Sequence, residues 1–136
     1  MTDQEVSNTV LRFYVKMNKW EVECALREEK CDNNLLDYDE SRNIAMDQYR
    51  LIFDDHCSEK ATPRDYHFSM PPEYDPDQMI IERIETGTLN SKNVFIQNTS
   101  GLKGRFVFRL RLEQNSWKIL EKCYIGHDGK LIEANL

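Results

Sequence analysis

The residues in this sequence whose types could support catalysis are His56 and Cys57, which are adjacent. A cysteine attacks as a thiolate, which needs a base close to the sulfur. Adjacent side chains on a helix point about 100° apart, so this pair is a poor nucleophile–base arrangement. A zinc site would need paired ligands at short spacing, and His67 does not supply that spacing. We therefore expect no catalytic residue and no metal ligand.

The sequence also lacks the short motifs that bind phosphates, activate a serine or place two histidines on one helix. Its five glycines are scattered along the second half, so the sequence has no glycine-rich stretch that could form a phosphate-binding loop. We expect no cofactor and no enzymatic activity. A carboxylate–tyrosine pair in an apolar pocket could still transfer protons, and such a pair leaves no motif, so this alternative stays open.

Charge is distributed unevenly along the 136 residues, whose net charge is −6. Residues 1–78 contain 9 Lys/Arg and 18 Asp/Glu, whereas residues 79–136 contain 9 Lys/Arg and 6 Asp/Glu. Phosphates would be repelled by most of such a surface, so we expect no nucleic-acid partner. An acidic face instead favours a basic protein partner, or serves as a solvated helical surface.

The length fits one domain spanning residues 1–136. Apolar runs such as Met79-Ile80-Ile81 are far shorter than a bilayer requires, and the N-terminus lacks the basic and apolar regions of a signal peptide. We therefore expect a cytoplasmic protein with no membrane partner, whose four cysteines are free thiols. The oligomeric state is left open.

Apolar spacing predicts two helices in the first half. The first spans residues 3–29, and the second begins near Asp37 or Asp39, since Asp37 with Glu40 approximates a capping box. The apolar stripe of the first helix comprises Val6, Val10, Phe13, Met17, Trp20 and Cys24. That of the second comprises Ala45, Tyr49, Ile52, Phe53 and His56.

Residues 58–78 contain all four prolines and are predicted to form an irregular crossover with one short strand at Tyr66–Phe68. Four strands should follow, at Met79–Thr86, Val94–Gln97, Arg105–Leu112 and Trp117–Ile125. Turns are expected around residues 87–91, 98–104 and 113–116. In the third strand Phe106, Phe108, Leu110 and Leu112 should face the core, and in the fourth Trp117, Ile119, Cys123 and Ile125.

Helices followed by a meander of strands indicate an α+β fold, with N-terminal helices packed on a curved antiparallel β-sheet. We expect a common core, because the helix stripe and the strand alternation each leave one apolar face to be covered. The side chains predicted to be mostly buried are Phe13, Met17, Trp20, Ile52, Phe53, Phe106, Phe108 and Trp117.

This order of elements, ending in the strand Trp117-Lys118-Ile119, resembles the nuclear-transport-factor-2-like fold, a conical sheet wrapped around a long helix. More narrowly, Phe13 with the stretch Met17-Asn18-Lys19-Trp20-Glu21-Val22-Glu23-Cys24, and Ile52-Phe53 with Cys57, resemble the immunity proteins of that fold. Such proteins are encoded beside bacterial polymorphic toxins, including Rhs-type toxins. The resemblance implies a non-enzymatic inhibitor that neutralises one cognate, cytosol-acting toxin protein.

Two other functions of the same fold stay open, and the state of the interior cavity separates one of them. An open cavity lined by Asp, His and Tyr would favour a small-molecule enzyme of the ketosteroid-isomerase or polyketide-cyclase type, whereas a filled cavity counts against it. The other is a ligand-binding or dimerisation module with a different partner.

The predicted partner-binding surface surrounds the proline-rich crossover and the start of the second helix. Prolines stiffen the crossover, tyrosines provide amphipathic contact area, and carboxylates attract a basic surface. A basic strand face bearing Arg105, Arg109 and Arg111 is the rival surface. The predicted contact residues are Asp37, Tyr38, Asp39, Glu73, Tyr74, Asp75 and Asp77.

Overall fold

The computed structural model describes residues 2–99 and 104–136. Two α-helices precede a meander of five antiparallel strands, ordered β1-β2-β3-β4-β5 across one sheet. The predicted α+β class is confirmed, and the meander contains one strand more than the four predicted for it. The elements are α1 (Asp3–Asp32), α2 (Tyr38–His56), β1 (Met79–Thr86), β2 (Ser91–Asn98), β3 (Gly104–Glu113), β4 (Ser116–Ile125) and β5 (Leu131–Ala134).

Helix α1 is the central element of the core. Thr2 caps its first turn by accepting a hydrogen bond from the Glu5 N–H, and the helix ends at Asp32, three residues beyond the prediction. All six side chains of the predicted apolar stripe are buried. The helix places this stripe against the sheet and α2, because residues three and four apart share one face.

Helix α2 begins where the capping pattern predicted. The Asp37 side chain accepts a hydrogen bond from the Glu40 N–H at 3.1 Å. The Trp20 indole N–H of α1 donates to the Ala45 carbonyl of α2 at 2.7 Å, which fixes the two helices side by side. Seven of the eight predicted core side chains are buried, and Ile52 packs against the core while partly exposed.

The crossover between α2 and β1 contains no strand at Tyr66–Phe68, so that prediction was wrong. Its backbone N–H groups at Ser69, Glu73 and Tyr74 donate to the Glu21 carboxylate instead of to a neighbouring strand. A short 3₁₀ turn at Pro76–Gln78 then leads into β1. The crossover is therefore fastened to α1 through a side chain, which leaves its backbone irregular.

Strand β4 contains a β-bulge that changes which side chains face the core. Arg109 pairs with Glu121 whereas the next residue, Leu110, pairs with Ile119, so Leu120 is the extra residue. Trp117 and Ile119 face inward before the bulge, as predicted, and Lys122 is the buried side chain after it. The prediction that Cys123 and Ile125 share the face of Trp117 was wrong, because the bulge shifts the alternation by one residue.

The turns and the last strand complete the sheet. Gln114 and Asn115 have φ of 50° and 66° and form a two-residue hairpin turn within the predicted turn at residues 113–116. The turn predicted between Asn98 and Gly104 falls mainly on residues outside the described part of the chain. Strand β5 was not predicted, because its four residues carry two exposed adjacent apolar side chains, Leu131 and Ile132, and no alternation.

Candidate functional site

The space between α1 and the sheet, where a protein of this shape could hold a small molecule, is filled by Tyr74. Its side chain is fully buried. The ring packs edge-on against Phe13 and Tyr14, with centroids 5.3 and 4.9 Å away. The Lys122 ammonium donates to the Tyr74 hydroxyl at 3.0 Å and lies 4.5 Å from the ring centroid. The crossover thus occupies the interior with its own side chain.

Four charged side chains surround Tyr74 and neutralise one another. Lys122 Nζ lies 2.5 Å from Glu73 Oε1, and Arg64 reaches the other carboxylate oxygen at 3.6 Å. Burial opposes ionisation of Glu73, but the charges of Lys122 and Arg64 outweigh it and lower the pKa of its carboxyl. Burial lowers the pKa of Lys122, and the Glu73 carboxylate opposes that shift. The fourth charge, Glu21, is the carboxylate that holds the crossover.

None of the buried tyrosines near this network is poised for proton transfer at neutral pH. Burial raises the pKa of Tyr74 well above its ordinary value. Burial also raises the pKa of Tyr49 to about 12, and its hydroxyl donates to the Leu136 carbonyl at 2.9 Å. Each group serves as a neutral hydrogen-bonding partner in the packed interior.

The adjacent residues His56 and Cys57 do not form a nucleophile–base pair. The His56 Nδ1 lies 3.0 Å from the Ile52 carbonyl within the same helix. Burial raises the pKa of Cys57 to about 12, which leaves its thiol protonated at neutral pH. Within residues 2–99 and 104–136, no group of three or more His, Cys, Asp or Glu side chains is placed to hold a metal ion.

The predicted partner-binding residues fall into three environments. Asp37, Tyr38 and Asp39 are exposed at the start of α2, where the Tyr38 hydroxyl donates to the Asp32 carboxylate and 55% of the Tyr38 side chain is exposed. Asp75 is partly buried and caps the 3₁₀ turn, next to an exposed Asp77. These two groups are not adjacent in the sequence, and α1 contacts both α2 and the 3₁₀ turn.

Tyr74 is fully buried and Glu73 is mostly buried, so neither presents the exposed side chain expected of a contact residue. The reason is the Glu21 carboxylate, which accepts both of their backbone N–H groups and draws this part of the crossover inward. Sequence reasoning had no signal for this contact. Glu21 lies beside the apolar stripe of α1, and nothing in its sequence position distinguishes it from other glutamates of the helix.

The rival basic surface on the sheet is largely neutralised by its own neighbours. Arg105 pairs with Glu82 and Arg109 with Glu121, both at 3.2 Å, and Arg111 makes two hydrogen bonds to Glu113. Each arginine predicted to present positive charge therefore has a carboxylate against it. Positive and negative side chains therefore lie next to each other on this face, so it attracts an acidic partner only weakly.

A family model of NTF2 fold immunity proteins matches residues 5–135. The chain belongs to that family. The match covers both helices and all five strands, in agreement with the resemblance drawn from the Trp20 region. Searches among curated proteins and among solved structures found no significant match. Across the described residues of this immunity protein, no helix has the length and apolar character needed to cross a membrane.

One surface of the immunity protein was overlooked in the sequence: the outer face of α2. Five of its residues follow spacings of 4, 3, 4 and 3 and lie opposite the buried stripe of Ala45, Tyr49 and Phe53. The signal was present, since this spacing defines a second face of the same helix. The residues are Glu40, Ile44, Asp47, Leu51 and Asp54, and all five are exposed.

Proposed function

We propose that this chain is a non-enzymatic immunity protein that binds and neutralises a cognate polymorphic toxin, of the Rhs type or a related type, in the cytoplasm. The family match over residues 5–135 carries the proposal. The acidic first half of the chain supports it, because an acidic inhibitor is drawn to the basic surfaces on which toxins bind nucleic acids or nucleotides.

The filled interior supports inhibition by surface contact rather than by chemistry. A ketosteroid-isomerase or cyclase type of enzyme needs an open pocket with a base that can reach its substrate. Here Tyr74 and Lys122 occupy that space, and less than 2% of either side chain is exposed. The small-molecule alternative is therefore not favoured.

Within this proposal, the exposed members of the predicted set form the first candidate contact surface. Asp37, Tyr38 and Asp39 present a tyrosine between two carboxylates at the start of α2, and Asp75 and Asp77 add negative charge at the end of the crossover. A half-exposed tyrosine flanked by acids is well suited to anchor a basic partner surface.

Co-expression with the toxin encoded by the adjacent gene tests the function. Cells that produce the toxin should grow only when the wild-type immunity protein is present, and the two purified proteins should form a stable complex. Binding and rescue should be weakened by Tyr38→Ala/Asp39→Lys and retained by Arg109→Glu/Arg111→Glu. Absence of both rescue and complex formation with the wild-type protein would refute the proposed function.

A further inference from the structure

The five exposed residues on the outer face of α2 are here called the α2 stripe: Glu40, Ile44, Asp47, Leu51 and Asp54. At about 100° per residue, they lie within an arc of about 80° around the helix axis. Leu51 is 73% exposed and Ile44 is 38% exposed, each between two carboxylates. Apolar and acidic side chains thus alternate along about 21 Å of helix.

The carboxylates of the α2 stripe carry uncompensated charge. Among the described residues, no Lys, Arg or His side chain lies within 4.0 Å of the carboxylates of Glu40, Asp47 or Asp54. Of the two arginines of α2, Arg42 lies over the Tyr66 ring, and Arg50 lines a groove together with Asp54 and Pro63 without forming an ion pair with Asp54. This face therefore differs from the sheet, whose arginines are paired.

A groove of about 510 Å³ adjoins the last turns of the α2 stripe. Helix α2 contributes Leu51, Ile52, Asp54, Asp55 and His56 to its lining, and α1 contributes Lys16. A lysine or arginine side chain has an aliphatic stem that packs on a leucine and a charged head that reaches carboxylates. The groove offers both kinds of contact. Its charged lining consists of the Asp54 and Asp55 carboxylates and the Lys16 ammonium, with the His56 ring 3.8 Å from Asp55.

We propose that the α2 stripe is the principal docking surface for the toxin, and that it receives a basic protein segment. Leu51 packs against the apolar part of that segment, and a lysine or arginine of the toxin enters the groove beside Asp54 and Asp55. This inference rests on the proposed function and assigns it a place and a partner chemistry.

Binding of the purified full chain to the toxin domain encoded by the adjacent gene, measured by titration calorimetry, tests the assignment. Leu51→Ser should weaken binding about 10-fold or more, because an exposed apolar anchor contributes to affinity only where the partner covers it. Leu89→Ser is the matched control, since Leu89 is 90% exposed in the β1–β2 turn. Binding by this control should equal that of the wild type.

The electrostatic half of the proposal needs a second pair of variants. Asp47→Lys/Asp54→Lys should weaken binding about 100-fold and remove most of its dependence on salt concentration. Asp128→Lys/Glu133→Lys makes the same change in net charge at exposed positions next to and within β5 and should weaken binding far less. All four variants should melt within a few degrees of the wild type, since they alter exposed side chains.

The possible results distinguish an error in the α2 assignment from an error in the proposed function. If the wild-type protein binds the toxin and both α2 variants bind as tightly as their controls, the α2 assignment is wrong and the proposed function stands. Equal losses in the two charge-reversal variants would also overturn it, because net charge rather than this face would then govern binding. If the wild type does not bind the toxin, the proposed function itself fails.

Discussion

Breaking the buried ion pair between Lys122 and Glu73 should cost about 3–5 kcal/mol of unfolding free energy, with the larger loss for the carboxylate. Lys122→Met leaves Glu73 with Arg64, 3.6 Å away, so its charge keeps one partner. Glu73→Gln instead leaves two buried cations without their shared carboxylate. We expect a loss of about 3 kcal/mol for the first change and about 5 kcal/mol for the second.

The double variant Glu73→Gln/Lys122→Met shows whether the two charges act on each other. Removing both leaves no uncompensated Lys122 charge, so the double variant should lose about 2 kcal/mol less than the sum of the single losses. Arg64 loses its Glu73 partner both in Glu73→Gln and in the double variant, so that loss cancels when the double variant is compared with the sum of the single losses. Urea denaturation followed by circular dichroism gives each free energy, with the slope in urea unchanged if the folded state stays compact.

A small effect would contradict the interpretation of this network. If both single variants lose less than about 1 kcal/mol, the pair is not the buried, charged contact that the 2.5 Å separation indicates. If the single losses are large but strictly additive, each side chain stabilises the core by packing alone, and the charge attraction contributes nothing.

Three shorter predictions concern stability. Trp20→Ala should cost about 3–5 kcal/mol by opening a cavity and removing the indole hydrogen bond to the Ala45 carbonyl, and a thermal melt close to that of the wild type would contradict this. Glu73 has a folded-state pKa below its ordinary 4.5, so its stabilisation is present above about pH 4.5 and is lost as pH falls through the folded value. Urea midpoints across that acidic range should therefore fall less steeply in Glu73→Gln than in the wild type. Asp37→Ala should lower the free energy of unfolding by about 1 kcal/mol, because it removes the cap of α2. The Asp77 carboxylate accepts no hydrogen bond from the described residues, so Asp77→Ala is the control and should leave the urea midpoint unchanged.

The fold was predictable where a single period extends over many residues. The stripe from Val6 to Cys24 spans five turns, and each of its side chains is buried as expected, because one helix face must be covered over its whole length. The β-bulge at Leu120 could not be predicted. An extra residue in one strand depends on how its partner strand pairs, and neither the type of Leu120 nor its neighbours in the sequence specify that.

The candidate site was harder to predict, because exposure is decided by long-range contacts. Tyr74 follows two prolines and precedes an aspartate, which is typical of an exposed loop, yet it is fully buried. The cause is Glu21, 53 residues earlier in the chain. Leu51 gives the opposite case: an apolar residue in an amphipathic helix is expected in the core, but its position opposite Tyr49 and Phe53 leaves it exposed.

The packing of the crossover also explains why inhibitory contacts should lie on the outside of this fold. If Tyr74 left the interior, its ring would lose its contacts with Phe13 and Tyr14. Lys122 would also lose the Tyr74 hydroxyl that accepts its hydrogen bond. A ligand that entered this space would have to replace all of them. The outer face of α2 carries no such constraint, because Glu40, Asp47 and Leu51 are exposed and lie outside the core cluster formed by the described residues. Residues on that face can therefore change while the interior stays the same, which is the division of roles that the proposed function of a toxin-specific inhibitor requires.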